Sequence, residues 1–381
     1  MRLAGAIAAA MLSTAPLLGG IVLIAPTEAA AATAYDRAMG LIEDHRYEDA
    51  VTALTEAIRI EDHTADAYSA RGLCYISLGN PDKAEADFKA SIRIQPNEIA
   101  YVGLGNLYLD QEKFEDALEN FEKALRIERH SYEGLLGKGS VYYNQGAFDQ
   151  ALEWYQKAVD ADDTRAVGHT YLGDVLAMLR RPTEALAAYD AALRIDRRDF
   201  NALMGKGNIL FNRGDSEAAL PYYQDATDVE PRNAKAQAYL GDTYAKLDRP
   251  GEAMAAYNAA LAADPANYDA LMGKGNLYYN RGDYQTSIAV YRSAARAAPT
   301  NAMAQAYLGD AYFNLERFDD ARTAYEAALR IDPQDVVSLS GMIKVLVKQG
   351  DVAGARARLN ALKEIDPAAA RRLAAEVPPA T

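Results

Sequence analysis

A polar residue recurs about once per 34 residues along this 381-residue chain: Asn106, Ser140, Asp174, Asn208, Asp242, Asn276 and Asp310. Four more amides form a second row, Asn144, Asn212, Asn280 and Asn314. Rings accompany both rows. Tyr171, Tyr239 and Tyr307 alternate with Gly137, Gly205 and Gly273, and Tyr143, Phe211, Tyr279 and Phe313 stand beside the second row. An amide side chain offers a donor and an acceptor, so a ladder of amides can hold a peptide backbone whatever its sequence. Tyrosine adds broad contact at low entropy cost. This is recognition chemistry.

Bond-making chemistry finds no such support. Gly205-Lys206 and Gly273-Lys274 lack the upstream glycine and the following Ser or Thr of a phosphate loop. Gly103-x-Gly105 follows no strand. Paired carboxylates such as Asp319–Asp320 sit at helix starts, where they oppose the positive end of the helix dipole. The four histidines, His45, His63, His130 and His169, have no ligand spacing and assemble no Ser–His–Asp or Cys–His set. Cys74 is the only cysteine, which excludes an intrachain disulfide and a cysteine metal cluster; a lone cysteine of this kind reads as a small buried residue. Trp154, the only tryptophan, reads as packing. The expectation is a chain that is not an enzyme, with no catalytic residues, no metal and no cofactor.

The elements that carry these rows repeat with them. Gly207–Ala219–Tyr223–Ala226 recurs as Gly241–Ala253–Tyr257–Ala260 and as Gly309–Ala321–Tyr325–Ala328. Ten copies follow: 31–64, 65–97, 98–131, 132–165, 166–199, 200–233, 234–267, 268–301, 302–335 and 336–369. Each holds two stretches with apolar residues at helical spacing. In the eighth copy Asn280-Arg281-Gly282-Asp283 separates them, with Gly282 suited to a chain reversal and Asp283 to capping the next helix. Prolines such as Pro231, Pro265 and Pro333 close several copies, where they cannot continue the preceding helix. A fixed period in this range means stacked repeats, each too small to bury its own apolar face.

On these residues the chain resembles the tetratricopeptide repeat family, over about 340 of its 381 residues. Some copies depart from the pattern: Ala38 and Ile343 replace the glycine at the two ends, and Ser287 replaces an alanine. The resemblance implies an all-α fold, an α-solenoid of about ten antiparallel helix pairs wound as a right-handed superhelix. In that family the second, fifth, sixth, ninth, twelfth and thirteenth residues of each first helix line a concave groove where partners bind. Carried onto this chain, both polar rows and their rings would line that groove. Members that clamp a carboxylate use basic residues at the fifth and sixth positions. The middle copies here carry none there, so that activity is not carried over.

A longer period runs inside the first. Ala202–Asn208 and Ala270–Asn276 both read ALMGKGN, while Ala236–Asp242 and Ala304–Asp310 both read AQAYLGD. Over residues 132–335 the unit is therefore four helices. The tyrosine–glycine alternation would put ridges and hollows at every second copy of the groove, either for a bound chain or as the trace of a duplicated pair.

A net charge of −14 argues against nucleic acid and anionic lipid as partners. The expected partner is a protein or peptide, neutral to basic, held in the groove by a non-enzymatic scaffold. Two alternatives are a glycan-binding groove, since tyrosine rings stack on sugar faces, and a self-assembling rod whose partner is a second copy. Residues 1–30 hold one charge, Arg2, before an apolar run to Ala25, then small residues. They read as a secretory signal peptide cut between Ala29 and Ala34, with a retained membrane anchor as the alternative. The expected location is periplasmic or secreted, with membrane contact only through a retained segment. Residues 31–369 form the solenoid, and 370–381 a capping helix and tail.

Overall fold

The computed structural model describes residues 33–378, so the expected signal or anchor segment lies outside the described residues. Those residues are helical throughout, with no strand among them. Two compact units divide the chain, Met1–Ala202 and Leu203–Thr381.

In the first unit five helix pairs follow in chain order: Ala34–Glu43 with Tyr47–Arg59, Thr64–Ser77 with Pro81–Ile94, Glu98–Asp110 with Phe114–Ile127, Tyr132–Asn144 with Phe148–Ala161, and Ala166–Met178 with Pro182–Ile195. The fourth pair shows how sequence makes the unit. Ser131 caps the first helix by accepting the Gly134 N–H at 3.0 Å. Gly146, at φ +73°, turns the chain back. The second helix then lays Tyr155 against Gly139, where an added Cβ would come within 2.5 Å of the ring. Ala151 and Ala158 are fully buried beside it. The missing side chain brings two helices close and an aromatic fills the remaining space, a burial that stabilises by about 1.5–3 kcal/mol for a large apolar side chain. Gly72 with Phe88, Gly105 with Phe121 and Gly173 with Tyr189 repeat the arrangement. Cys74 is buried among Ala57, Ala67 and Ala70, and burial pushes its thiol up to about 12.

The second unit is built in the same way. Its helices are Ser216–Val229, Ala234–Lys246, Pro250–Ala263, Tyr268–Asn280, Tyr284–Ala297, Ala302–Asn314, Phe318–Ile331, Val336–Lys348 and Val352–Ile365; Phe200–Asn212 spans the boundary between units. Gly207, Gly241, Gly275 and Gly309 meet Tyr223, Tyr257, Tyr291 and Tyr325, all four tyrosines fully buried. A short helix, Pro367–Ala374, begins three residues ahead of the expected boundary at 370 because Asp366 caps it, accepting the N–H groups of Ala368 and Ala369 at 2.9 Å. It covers Leu339, Ile343 and Leu362 with Ala369, Ala370 and Leu373.

The two-copy period extends further than the sequence motifs suggest. The reversal residue has positive φ in every copy. Five are glycines: Gly79, Gly146, Gly214, Gly282 and Gly350. The intervening copies use His45, Glu112, Arg180, Asp248 and Glu316. A left-handed side-chain-bearing residue costs roughly 1–2 kcal/mol, so alternate reversals are strained and their partners are not.

Candidate partner-binding face

From Ser140 to Asp310 the ninth residue of each first helix, expected to face a partner, is held by its own copy. In the first unit Tyr155 donates its hydroxyl to Ser140 Oγ at 3.2 Å, and Tyr189 donates to Asp174 Oδ1 at 2.7 Å. In the second unit Tyr223 donates to Asn208, Tyr257 to Asp242, Tyr291 to Asn276 and Tyr325 to Asp310, at 2.8, 2.6, 2.7 and 2.5 Å. Every donor lies fifteen residues after its acceptor. Residue 121, fifteen after Asn106, is phenylalanine. Asn106 is only 5% exposed and its Oδ1 has no partner. Asn106 and Ser140, 1% exposed, are thus the expected groove residues that the structure takes off the surface. Position nine lies on the border between the packed face and the open one, and in these copies the packing closes over it.

The tyrosine–glycine alternation also has a packing basis. Tyr171 lies over Tyr155 with ring centroids 5.5 Å apart. Tyr239 stacks on Tyr223 at 5.6 Å and 7°, and Tyr307 lies over Tyr291 at 5.8 Å. All three upper rings are half-buried. Where the sixth residue is glycine the preceding aromatic moves into its place: Phe121 against Gly137 and Tyr257 against Gly273. One ring therefore either leans on a glycine or supports a second ring, in alternate copies.

The thirteenth residues lie at the surface. Asn144, Asn212, Asn280 and Asn314 are exposed. Asn144 donates to the Ser140 carbonyl at 2.7 Å. Asn314 donates to the Tyr279 hydroxyl of the preceding copy and to the Asp310 carbonyl, both at 2.8 Å. The neighbouring rings are half-buried and set edge-on: Tyr143 on Phe148, Phe211 on Tyr223, Tyr279 on Tyr284. In the second unit this face contains a cavity of about 660 Å³ above Gly273, lined among others by Phe211, Asp242, Asp269, Met272, Asn276 and Asn280.

Burial governs the charge here. Desolvation pushes Asp174 up to about 6, with the Tyr189 hydroxyl opposing and Asp199 adding. Desolvation likewise pushes Asp242 up to about 6, against the Tyr257 bond and Lys246 and with Asp269. Asp310 is raised for the same reason. Sequence reasoning missed Asp269 and Lys246. Both stand on first helices, at the second and thirteenth positions, which helical spacing assigns to the open face, but neither belongs to the recurring polar and aromatic rows. Trp154 lies on the second helix of its copy. It is half-buried, lines a separate cavity of about 490 Å³, and lies under the Lys138 and Lys157 ammonium groups, 4.1 and 4.0 Å from its centroid. Lys138 also pairs with Glu122 at 3.0 Å, its stem on apolar surface and a carboxylate at its tip. Among the described residues no group of three or more His, Cys, Asp or Glu is placed to hold a metal, and no helix is long and apolar enough to cross a membrane.

Family models of the tetratricopeptide repeat match residues 102–166, 168–201, 204–268, 240–302 and 272–336, with further matches at 65–98 and 316–377. The chain is 30% identical over 94 residues to tetratricopeptide repeat protein 37 of Xenopus laevis, covering 24% of this chain and 6% of that one. It is 36% identical over 88 residues to tetratricopeptide repeat protein 16 of Mus musculus, covering 21% of this chain and 12% of that one. The chain therefore spans only a small part of the length of these curated relatives. Among solved structures, the Cut9 and Hcn1 hetero-tetramer of the APC/C aligns at TM-score 0.52 and 16% identity, over 91% of this chain and 83% of that one. YrrB, a protein of the same repeat type described as having an unusual peptide-binding site, aligns at TM-score 0.41 and 27% identity, over 49% of this chain and 97% of that one.

Proposed function

Since the chain belongs to the tetratricopeptide repeat family, we propose that it is a non-enzymatic scaffold that holds an extended segment of a partner protein against the open face of its first helices. The observation that carries this reading is the make-up of that face in the second unit. Exposed amides at 280 and 314, half-buried rings at 239, 279 and 307, and a cavity of about 660 Å³ lie on helices whose opposite sides are packed. Rigid rings supply contact area and the exposed amides supply donors and acceptors that fit any peptide backbone. An excess of carboxylates favours a neutral to basic segment. Residues 1–30 support a place in a bacterial envelope, where the same segment would export the chain or anchor it.

Photocrosslinking groups placed at 280 and 314, and at 322 on a second helix as a control, test this in cells of the source organism. One and the same protein should be captured from 280 and 314 and not from 322. Equal capture from all three positions, or a labelled exopolysaccharide fragment bound in place of protein and lost on Tyr307→Ala, would replace the peptide reading. Fractionation followed by N-terminal sequencing tests the location: a mature start between residues 30 and 34 in the periplasmic fraction is expected, and an intact N-terminus in the membrane fraction would mean an anchor.

A further inference from the structure

The cavity above Gly273 has a composition that a generic peptide groove does not need. In neighbouring copies Asn208 and Asn276 accept the same tyrosine hydroxyl that Asp242 accepts, at 2.8 and 2.7 Å against 2.6 Å. An amide therefore serves the fold at this position. Asp242 adds a charge that must be desolvated, and burial duly raises its pKa. The carboxylate is a surplus to the packing, and it opens on a cavity.

The remaining lining gives that surplus a use. Gly273 lines the cavity, and the Tyr257 ring stands where its side chain would be. Phe211 and Met272 give the hollow apolar walls, and Asn276 and Asn280 supply amides. Asp269 brings a second carboxylate that acts electrostatically on Asp242. Asp248, Lys246 and Arg281 complete the charged groups, three carboxylates against two cations. Lys246 lies over the Phe211 ring at 4.2 Å, and Asp248 and Arg281 are exposed, whereas Asp242 is fixed by Tyr257. Tyr268 lines the same cavity.

Resting on the groove reading above, we propose that this hollow seats one lysine or arginine side chain of the bound segment, its alkyl stem between Phe211 and Met272 and its cation between Asp242 and Asp269. A long cationic side chain matches both halves of the lining, since its stem buries on apolar surface while its head needs a carboxylate. A neutral polar side chain would add no charge to oppose the desolvation of Asp242, and an acidic one would add repulsion.

The test uses the full chain and a random dodecapeptide library displayed on phage. Enriched peptides should carry lysine or arginine at one fixed place. The same panning against Asp242→Asn should still enrich peptides, without that preference, because Asn keeps the Tyr257 bond as Asn208 and Asn276 do. For a synthetic copy of an enriched peptide, acetylating that lysine should weaken binding about tenfold, and Asp269→Asn should weaken it in the same direction by less. Enrichment with no basic preference would overturn the cation seat and leave the groove reading standing. An unchanged preference in Asp242→Asn would equally overturn it. Failure to enrich any peptide would remove both.

Discussion

Residues 65–131 and residues 132–335 solve one packing problem with rings that differ by a single oxygen atom. In the earlier stretch Phe88 and Phe121 fill the space left by Gly72 and Gly105. In the later stretch six tyrosines do so, and each donates a hydrogen bond to the residue fifteen positions before it. The phenylalanine copies have Leu73, which packs with Phe88, and Asn106, which finds no partner. The difference teaches that a polar residue at the ninth position answers first to the ring behind it. Only what exceeds that demand, a carboxylate where an amide would do, is left to speak for a partner.

The largest effect comes from removing the ring altogether. Tyr257→Ala should destabilise the second unit by about 3–5 kcal/mol, because a fully buried aromatic leaves a cavity. Tyr257→Phe should cost about 1–3 kcal/mol, since it turns the seventh copy into a likeness of the third and strips Asp242 of its donor. Urea denaturation followed by circular dichroism and fitted to a nearest-neighbour repeat scheme measures both. If the two substitutions cost the same, the hydroxyl and not the ring carries the copy, and the likeness between the two stretches fails. Gly241→Ala comes next, at about 1–3 kcal/mol. Its Cβ would stand 2.6 Å from Tyr257 Cδ1, and the ring is enclosed and has little room to retreat.

The ladder of ten helix pairs was legible because most copies repeat the same glycine, alanine and ring, and a wrong phase would have shown at once. The open face was legible only in part. Helical spacing places the thirteenth residues clear of the stack, and Asn280 and Asn314 are exposed as expected. It places the ninth on a border, where a second helix decides the outcome, and that helix is fifteen residues away along the chain. The information was present in another form. Within this one sequence leucine at the ninth position goes with phenylalanine fifteen on, and Asp174, Asn208, Asp242, Asn276 and Asp310 all go with tyrosine. Asn106 with Phe121 is the mismatch. The alternation of strained and unstrained reversals was legible as residue types, but only backbone angles show that Glu112, Arg180 and Asp248 adopt the left-handed conformation.

A smaller effect separates amide from carboxylate within the tyrosine stretch. Burial raises Asp242 to about 6, against about 3.9 for an unfolded aspartate. Below about pH 4 the group is protonated in both states and contributes no pH dependence; between about 4 and 6 the folded chain keeps a proton that the unfolded chain has lost, so stability falls as pH rises, and above about 6 that loss is complete. Asp242→Asn should therefore raise Tm near neutral pH, leave it unchanged near about pH 4, and flatten the profile between them. Asn208→Asp should do the reverse, placing a carboxylate where the fold uses an amide. Identical profiles for parent and Asp242→Asn would mean that Asp242 is solvated and that its charge costs the fold nothing.

The smallest effect is the most diagnostic, because it is a gain. Phe121→Tyr places a hydroxyl where its six later counterparts have one, fifteen residues from an acceptor, Asn106 Oδ1, that is buried and unused. The new bond should stabilise the first unit by about 0.5–1.5 kcal/mol. Asn106→Leu approaches the same fault from the other side, copying Leu73 beside Phe88, and should also stabilise by removing a buried polar atom that nothing satisfies. Two separate repairs of one mismatch cannot add. The double variant Asn106→Leu, Phe121→Tyr buries a phenol oxygen with no acceptor and should be less stable than either single variant, a coupling that a double-mutant cycle reads directly. Additive gains would show that Asn106 and Phe121 do not sense each other, and the fifteen-residue pairing would then hold only where tyrosine makes it.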